Sequence, residues 1–136
     1  MLIVDTGVIV AAADRRDPHH AASRDIINSH SGELHTTAMV IAEAAYLIER
    51  ELGCDVEALL FDNIARGVFH VEELTRPDWA DVAQLVRQYE DLPLGGTDAG
   101  LVVLANRHQQ TRIATLDRRH FSIVKPEVGA GFELLP

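Results

Sequence analysis

One cysteine, one lysine and few aromatic rings set the first limits on this 136-residue chain. With Cys54 alone, an internal disulfide and a cysteine-rich zinc site are both excluded. That usage suits a reducing cytoplasm. No apolar run approaches the roughly 20 residues that a membrane helix requires. The opening stretch, MLIVDTGVIVAAADRRD, lacks the basic start of a signal peptide, and Asp5 interrupts its apolar run early. The expectation is a cytoplasmic protein with no membrane segment. Aromatic residues make up only 5% of the chain, which argues against recognition through a broad stacking surface. Neither GxxxxGK(S/T) nor GxGxxG occurs, so the common glycine-built phosphate cradles are absent, and Gly95-Gly96 reads as a loop.

What is present fits one core. Hydrophobic residues are 47% of the chain, enough for residues 1–136 to form one domain without covalent staples. The net charge of −9 comes from 12 basic and 21 acidic side chains, and Lys125 is the sole lysine. For a nucleic-acid protein that sign is unfavourable, because phosphate contacts normally dominate affinity. Bound divalent cations would cancel part of it, and local arginines could still hold phosphates. A basic partner would be attracted.

Short apolar runs alternate with longer helical patterns. MLIV (1–4) reads as a strand buried on both faces, followed by a short helix over 6–13. Asp17-Pro18 predicts a helix start, with Asp17 as cap, running to about residue 30. A strand over 33–36, a long helix to Gly53 and a helix over 55–66 follow. The next strand covers 68–74, and Thr75-Arg76-Pro77-Asp78 opens another helix. Asp98 begins the helix DAGLVVLANRHQ. A strand over 112–116 leads to Asp117, a helical turn over 118–121 and a last strand over 132–135. Strands separated by helices imply an α/β fold, with a central, mainly parallel sheet covered on both sides. Ligands bind such sheets beyond the carboxyl ends of the strands.

Four carboxylates draw attention. Asp5 and Asp117 each follow a hydrophobic strand directly, which places both on the ligand-binding edge; each could equally cap the next helix. Asp98 precedes an apolar helix and is open to the same two readings. Glu43 lies in AMVIAEAAYLI, which is apolar nearly all round and therefore reads as buried. A carboxylate there needs an arginine, an exit to the surface or a cation, because desolvating it alone costs several kcal/mol. Crowded like charges repel, so a pocket of all four is hard to justify without a cation. Oxygen donors of this kind suit Mg²⁺, with Mn²⁺ possible, and the usual chemistry of acidic Mg²⁺ pockets is phosphoryl transfer or phosphodiester hydrolysis.

Four blocks in order, MLIVDTGVIVAA, VIAEAAYLI, TDAGLVVLANR and IATLDRRHF, resemble the PIN-domain nucleases, and in particular the VapC-type toxins of toxin–antitoxin pairs. The resemblance spans essentially the whole chain. It implies a three-layer α/β/α fold, Mg²⁺-dependent endoribonuclease activity, a homodimer, and neutralisation by an antitoxin that lays a basic segment across the acidic pocket. Carried over by position, Asp5, Glu43, Asp98 and Asp117 match the four acids that hold metal and carry catalysis. Thr6 and Thr115 match supporting hydroxyls. Gly100 stands where serine or another small residue is more usual. Metal-activated water would attack phosphorus, leaving a 5′-phosphate and a 3′-hydroxyl, with Glu43 or Asp117 assisting proton removal. Arg118 and Arg119 lie near the same edge and could bind phosphate, whereas Arg112 reads as solvated surface charge.

Two alternatives use a similar surface. A phosphoreceiver-like signalling domain would need paired acids after the first strand and a lysine near the end, but Asp5 stands alone and Lys125 precedes Pro126. A phosphatase with an aspartate nucleophile would want D-x-D, and the chain reads Asp5-Thr6-Gly7. A third alternative is a catalytically inactive PIN fold that only binds a partner; the complete set of acids argues against it. His19 and His20 are adjacent and diverge on a helix. His108 and His120 have no partner at ligand spacing. Trp79, Phe61, Phe69 and Tyr89 read as core or dimer interface.

Overall fold

Only the first strand is an unbroken buried apolar run, Leu2 to Val4, and it stops at Asp5; the other strands mix polar and apolar residues. The computed structural model describes residues 1–136. Strands β1 (Leu2–Val4), β2 (Leu34–Thr37), β3 (Phe69–Glu72), β4 (Arg112–Ala114) and β5 (Glu133–Leu135) form one sheet in the order β3-β2-β1-β4-β5. All four pairings are parallel: Leu2 faces Leu34, Ile3 faces Ile113, Thr36 faces Val71 and Ala114 faces Leu135. The mainly parallel sheet expected from the sequence is parallel throughout.

Helices supply the crossovers. They are α1 (Thr6–Ala13), α2 (His20–Ser29), α3 (Ala38–Leu52), α4 (Cys54–Ala65), α5 (Arg76–Gln88), α6 (Gly96–Arg107) and α7 (Arg118–Ile123). Right-handed connections put α1 to α4 on one face and α5 with α6 on the other, which gives three layers. The central strands are sandwiched: Leu2, Ile3, Val4, Ile113 and Ala114 are fully buried. No helix is long and apolar enough to cross a membrane.

Local chemistry explains most boundaries. Thr37 caps α3 by accepting from Val40 N, and Gly53 ends it at φ 88°, a conformation that side chains with a Cβ disfavour. Thr75 and Asp78 form a reciprocal capping box on α5, with Pro77 in its first turn. The expected start at Asp17-Pro18 is displaced. The Asp17 carboxylate accepts from His19 N at 2.7 Å within a turn, so α2 begins only at His20 and has no side-chain cap.

The strand order reverses between β1 and β4. From β1 the chain winds outward through β2 to β3, then returns across the sheet to β4 and β5. At such a switch point, adjacent strand ends feed loops that diverge to opposite faces and leave a crevice. Asp5 leaves β1 and Asp117 follows β4 at that crevice.

A carboxylate pocket wired by threonines

Capping and site membership prove compatible for the two strand-end aspartates. Asp5 Oδ1 accepts from Thr6 N at 2.7 Å, which caps α1, while Oδ2 accepts from the Thr115 hydroxyl at 2.7 Å. Asp117 Oδ1 accepts from Arg119 N at 3.1 Å, which caps α7, and Oδ2 lies 3.3 Å from His120 Nδ1. One oxygen of each carboxylate holds a helix start and the other turns to the crevice.

Asp98 is in the first turn of α6, whose cap is Gly95, so it is free of capping duty. Its Oδ2 lies 2.6 Å from His120 Nδ1. An ionised carboxylate only accepts, so Nδ1 carries the hydrogen and donates. Glu43 reaches in from α3, and its Oε2 accepts from the Thr6 hydroxyl at 2.8 Å.

These contacts form one connected path, hydrogen-bonded except for the Asp117–His120 ion pair: Glu43 to Thr6, Thr6 to Asp5, Asp5 to Thr115, Thr115 to Asp117, Asp117 to His120 and His120 to Asp98. Thr115 sits at its centre, donating to Asp5 while its oxygen accepts from Asp117 N at 3.0 Å. The structure therefore brings together Asp5, Glu43, Asp98, Asp117, Thr6 and Thr115, and adds His120.

Two expectations need correction. Glu43 is exposed rather than buried, because Ala42 and Tyr46 on the same helix also face solvent and α3 is apolar on one side only. His120, read as lacking a partner, bridges Asp98 and Asp117; His108, read likewise, meets Glu72. Phe69 is core, whereas Trp79 and Phe61 are about half exposed, which leaves only the interface half of the reading given to them. Arg118 donates to the Pro136 carbonyl, and Arg119 is exposed. Arg112 lies 3.7 Å from Glu133, a surface pair.

The electrostatics follow from crowding. Burial pushes Asp5 from 3.8 up to about 6; the charges of Asp98 and Glu43 push the same way, while the Thr115 and Thr6 hydrogen bonds pull back. Asp98 is also raised, first by burial and then by Asp117 and Glu43, and His120 offsets part of that. Among the hydrogen bonds and ion pairs of the pocket, no arginine or lysine neutralises the four acids. Four carboxylates against one imidazole, whose Nδ1–H is turned to Asp98, make a mainly oxygen donor set that suits a hard divalent cation. An apolar groove between α1, α2, α3 and α4, lined by Ile9, Ile27, Ile48, Leu59 and Leu60, contains none of these acids.

An α/β/α layer fold with an acidic crevice at its switch point defines a recognisable class. Residues 2–125 match the PIN domain family model, and the chain belongs to the PIN-domain family. Ribonuclease VapC26 of Mycobacterium tuberculosis is 35% identical over 135 residues, covering 99% of this chain and 100% of that protein. Two solved structures share the fold. VapC20 of Mycobacterium tuberculosis, a sarcin-ricin loop cleaving toxin, superposes with TM-score 0.76 at 17% identity, covering 83% of this chain and 87% of that one. FitAcB from Neisseria gonorrhoeae gives TM-score 0.62 at 21% identity, covering 86% of this chain and 88% of that one.

Proposed function

We propose that this protein is a metal-dependent endoribonuclease that acts as the toxin of a toxin–antitoxin pair, with Asp5, Glu43, Asp98 and Asp117 as the metal-holding and catalytic acids. The observation that carries the reading is the path of hydrogen bonds and one histidine–aspartate ion pair that joins the four acidic residues without a counter-charge of arginine or lysine. The full-length relationship to a ribonuclease supports RNA as the substrate.

Asp5 and Asp98, the two acids with raised pKa, are the principal holders of Mg²⁺ or Mn²⁺, and Glu43 and Asp117 complete the oxygen set. A bound ion of this kind supplies a lowered water pKa and charge stabilisation at phosphorus. The chain's own groups do the rest. Thr115 fixes the rotamer of Asp5 through Oδ2, and Thr6 fixes Glu43 through Oε2. His120 fixes Asp98 from the far side and is a positioning residue. Glu43 and Asp117, the two exposed acids, stay open to solvent and can accept a proton from the attacking water. Arg119, exposed beside Asp117, is the free guanidinium at this edge for an RNA phosphate; Arg118 can join it by leaving the Pro136 carbonyl.

The four acids also suit neutralisation by an antitoxin carrying a basic segment, an attraction the net charge of −9 reinforces. Trp79, half exposed beside Met39, Val71 and Leu74, offers apolar surface for a homodimer.

A labelled RNA tests the reading. Cleavage should stop with EDTA, return with Mg²⁺ or Mn²⁺, and fall about 100-fold or more in Asp98→Asn, whose circular dichroism should match the parent. Cleavage indifferent to chelation, or full activity in Asp98→Asn, would overturn it.

A further inference from the structure

Away from the acidic crevice, a second set of side chains with ligand character converges from three elements. His35 lies in β2, Glu72 ends β3 and His108 caps the C-terminus of α6. His35 Nδ1 is 2.5 Å from Glu72 Oε1, and His108 Nε2 is 2.7 Å from Glu72 Oε2. The three ligand atoms all lie within 4.8 Å of one another, and none of the residues is fully exposed. We propose that His35, Glu72 and His108 form a second cation site, separate from the nuclease pocket, that takes zinc.

The donor set decides the ion. Two imidazoles and one carboxylate suit borderline-soft Zn²⁺, whereas the carboxylate-dominated crevice suits a harder cation. Three protein ligands leave a fourth tetrahedral position for water. Binding needs no net loss of protons from neutral rings: each imidazole now donates an N–H to Glu72, and moving that hydrogen to the opposite ring nitrogen frees a lone pair on the nitrogen that faces the site. The site is also held from outside. His70 stacks on His35 with ring centroids 4.7 Å apart, and its Nε2 is 2.9 Å from the Gly32 carbonyl.

Arg107 is the opposing charge. It donates to Glu72 Oε2 at 3.3 Å, but it also donates to the Glu73 carbonyl at 3.0 Å and to Asp78. Those two partners keep the guanidinium paired when Glu72 turns to a cation, and the Asp78 carboxylate offsets its charge. Zinc here would tie β2 and the edge strand β3 to the end of α6, the helix whose first turn carries Asp98. The ion would therefore act as a staple behind the nuclease site.

The test uses untagged full-length protein stripped of metal, in the Asp98→Asn background to weaken the acidic pocket. Zinc titrated by calorimetry should bind at one equivalent, raise the melting temperature, and be replaceable by Co²⁺ with the visible bands of four-coordinate cobalt. Adding His108→Gln should weaken zinc at least about 10-fold and abolish those bands; Glu72→Gln should do the same. His108 caps the helix end through its backbone, so its replacement leaves the fold standing. No zinc bound by the Asp98→Asn protein, or unchanged stoichiometry and cobalt spectrum after His108→Gln, would overturn the site and leave a plain histidine–glutamate clamp.

Discussion

His120 on α7 places its Nδ1 2.6 Å from Asp98 Oδ2 on α6, tying the first turn of one helix to the middle of the other across the mouth of the crevice. An Nδ1–H facing a carboxylate fixes both the imidazole tautomer and the carboxylate rotamer. Groups that orient metal ligands in this way typically contribute about 10- to 100-fold to affinity or activity.

His120→Gln should accordingly lower Mn²⁺ affinity by about 10- to 100-fold. Saturating metal should recover part of the RNA cleavage that is lost, since the ligands themselves survive. Calorimetric titration beside a cleavage time course reads both. Unchanged Mn²⁺ affinity would remove His120 from any positioning role.

Asp5 and Asp117 were legible because apolar runs lead up to them, although β4 stops at Ala114, two residues short of the expected strand end, and sheet topology puts β1 and β4 side by side. Asp98 was legible as the polar start of an apolar helix. His120 was not: its partner stands 22 residues away, and no local period links the two. His108 was hidden in the same way, its partner Glu72 being 36 residues distant. Glu43 was found for a mistaken reason. Alanine-rich flanks read as buried, although Ala42 is exposed and Tyr46 keeps 61% of its surface in solvent. The start of α2 failed because Asp17 satisfied a turn amide instead of a helix amide.

The protonation of Asp5 gives a pH dependence with a definite sign. In metal-free protein its pKa is raised by burial from 3.8 to about 6, so the folded state binds the proton more tightly than the unfolded chain. That stabilisation is complete below pH 3.8 and is lost as pH rises through 6. The whole effect is on the order of 3 kcal/mol. Asp5→Asn should therefore gain stability relative to the parent as pH climbs from 4 to 8, measured by urea unfolding in EDTA. A stability difference that stays flat across this range would contradict the burial of an ionisable Asp5. Mg²⁺ competes with the same proton, so parent affinity should fall as pH drops below about 6.

Glu43 is exposed, and repulsion from its charge is screened by solvent. Glu43→Gln should leave the melting temperature of metal-free protein nearly unchanged, within about 0.5 kcal/mol in stability. Metal affinity should still drop, since Glu43 supplies one of the four charges, and Thr6 keeps its hydrogen bond to the amide oxygen. An unaltered Mn²⁺ titration would put Glu43 outside the metal set.

Thr115 tests the path at its centre. It is 1% exposed, its hydroxyl donates to Asp5 Oδ2 at 2.7 Å, and the same oxygen accepts from Asp117 N at 3.0 Å. Valine has nearly the same shape, so Thr115→Val removes two hydrogen bonds with little change in packing. Unsatisfied buried partners cost about 1–3 kcal/mol each, with Asp117 N the more exposed and the cheaper. The bond to Asp5 also favours its ionised form, so its loss should raise that pKa further above 6 and move the pH dependence of metal binding upward. A merely structural threonine would lower stability alone. Joint loss of stability and a shifted metal-binding pH profile, compared in the Thr115→Val and Thr115→Ser proteins with serine restoring both, identifies the hydroxyl as the element that couples β4 to the acid on β1. A valine variant with the parent's pH profile would show that Asp5 is held by its helix cap alone.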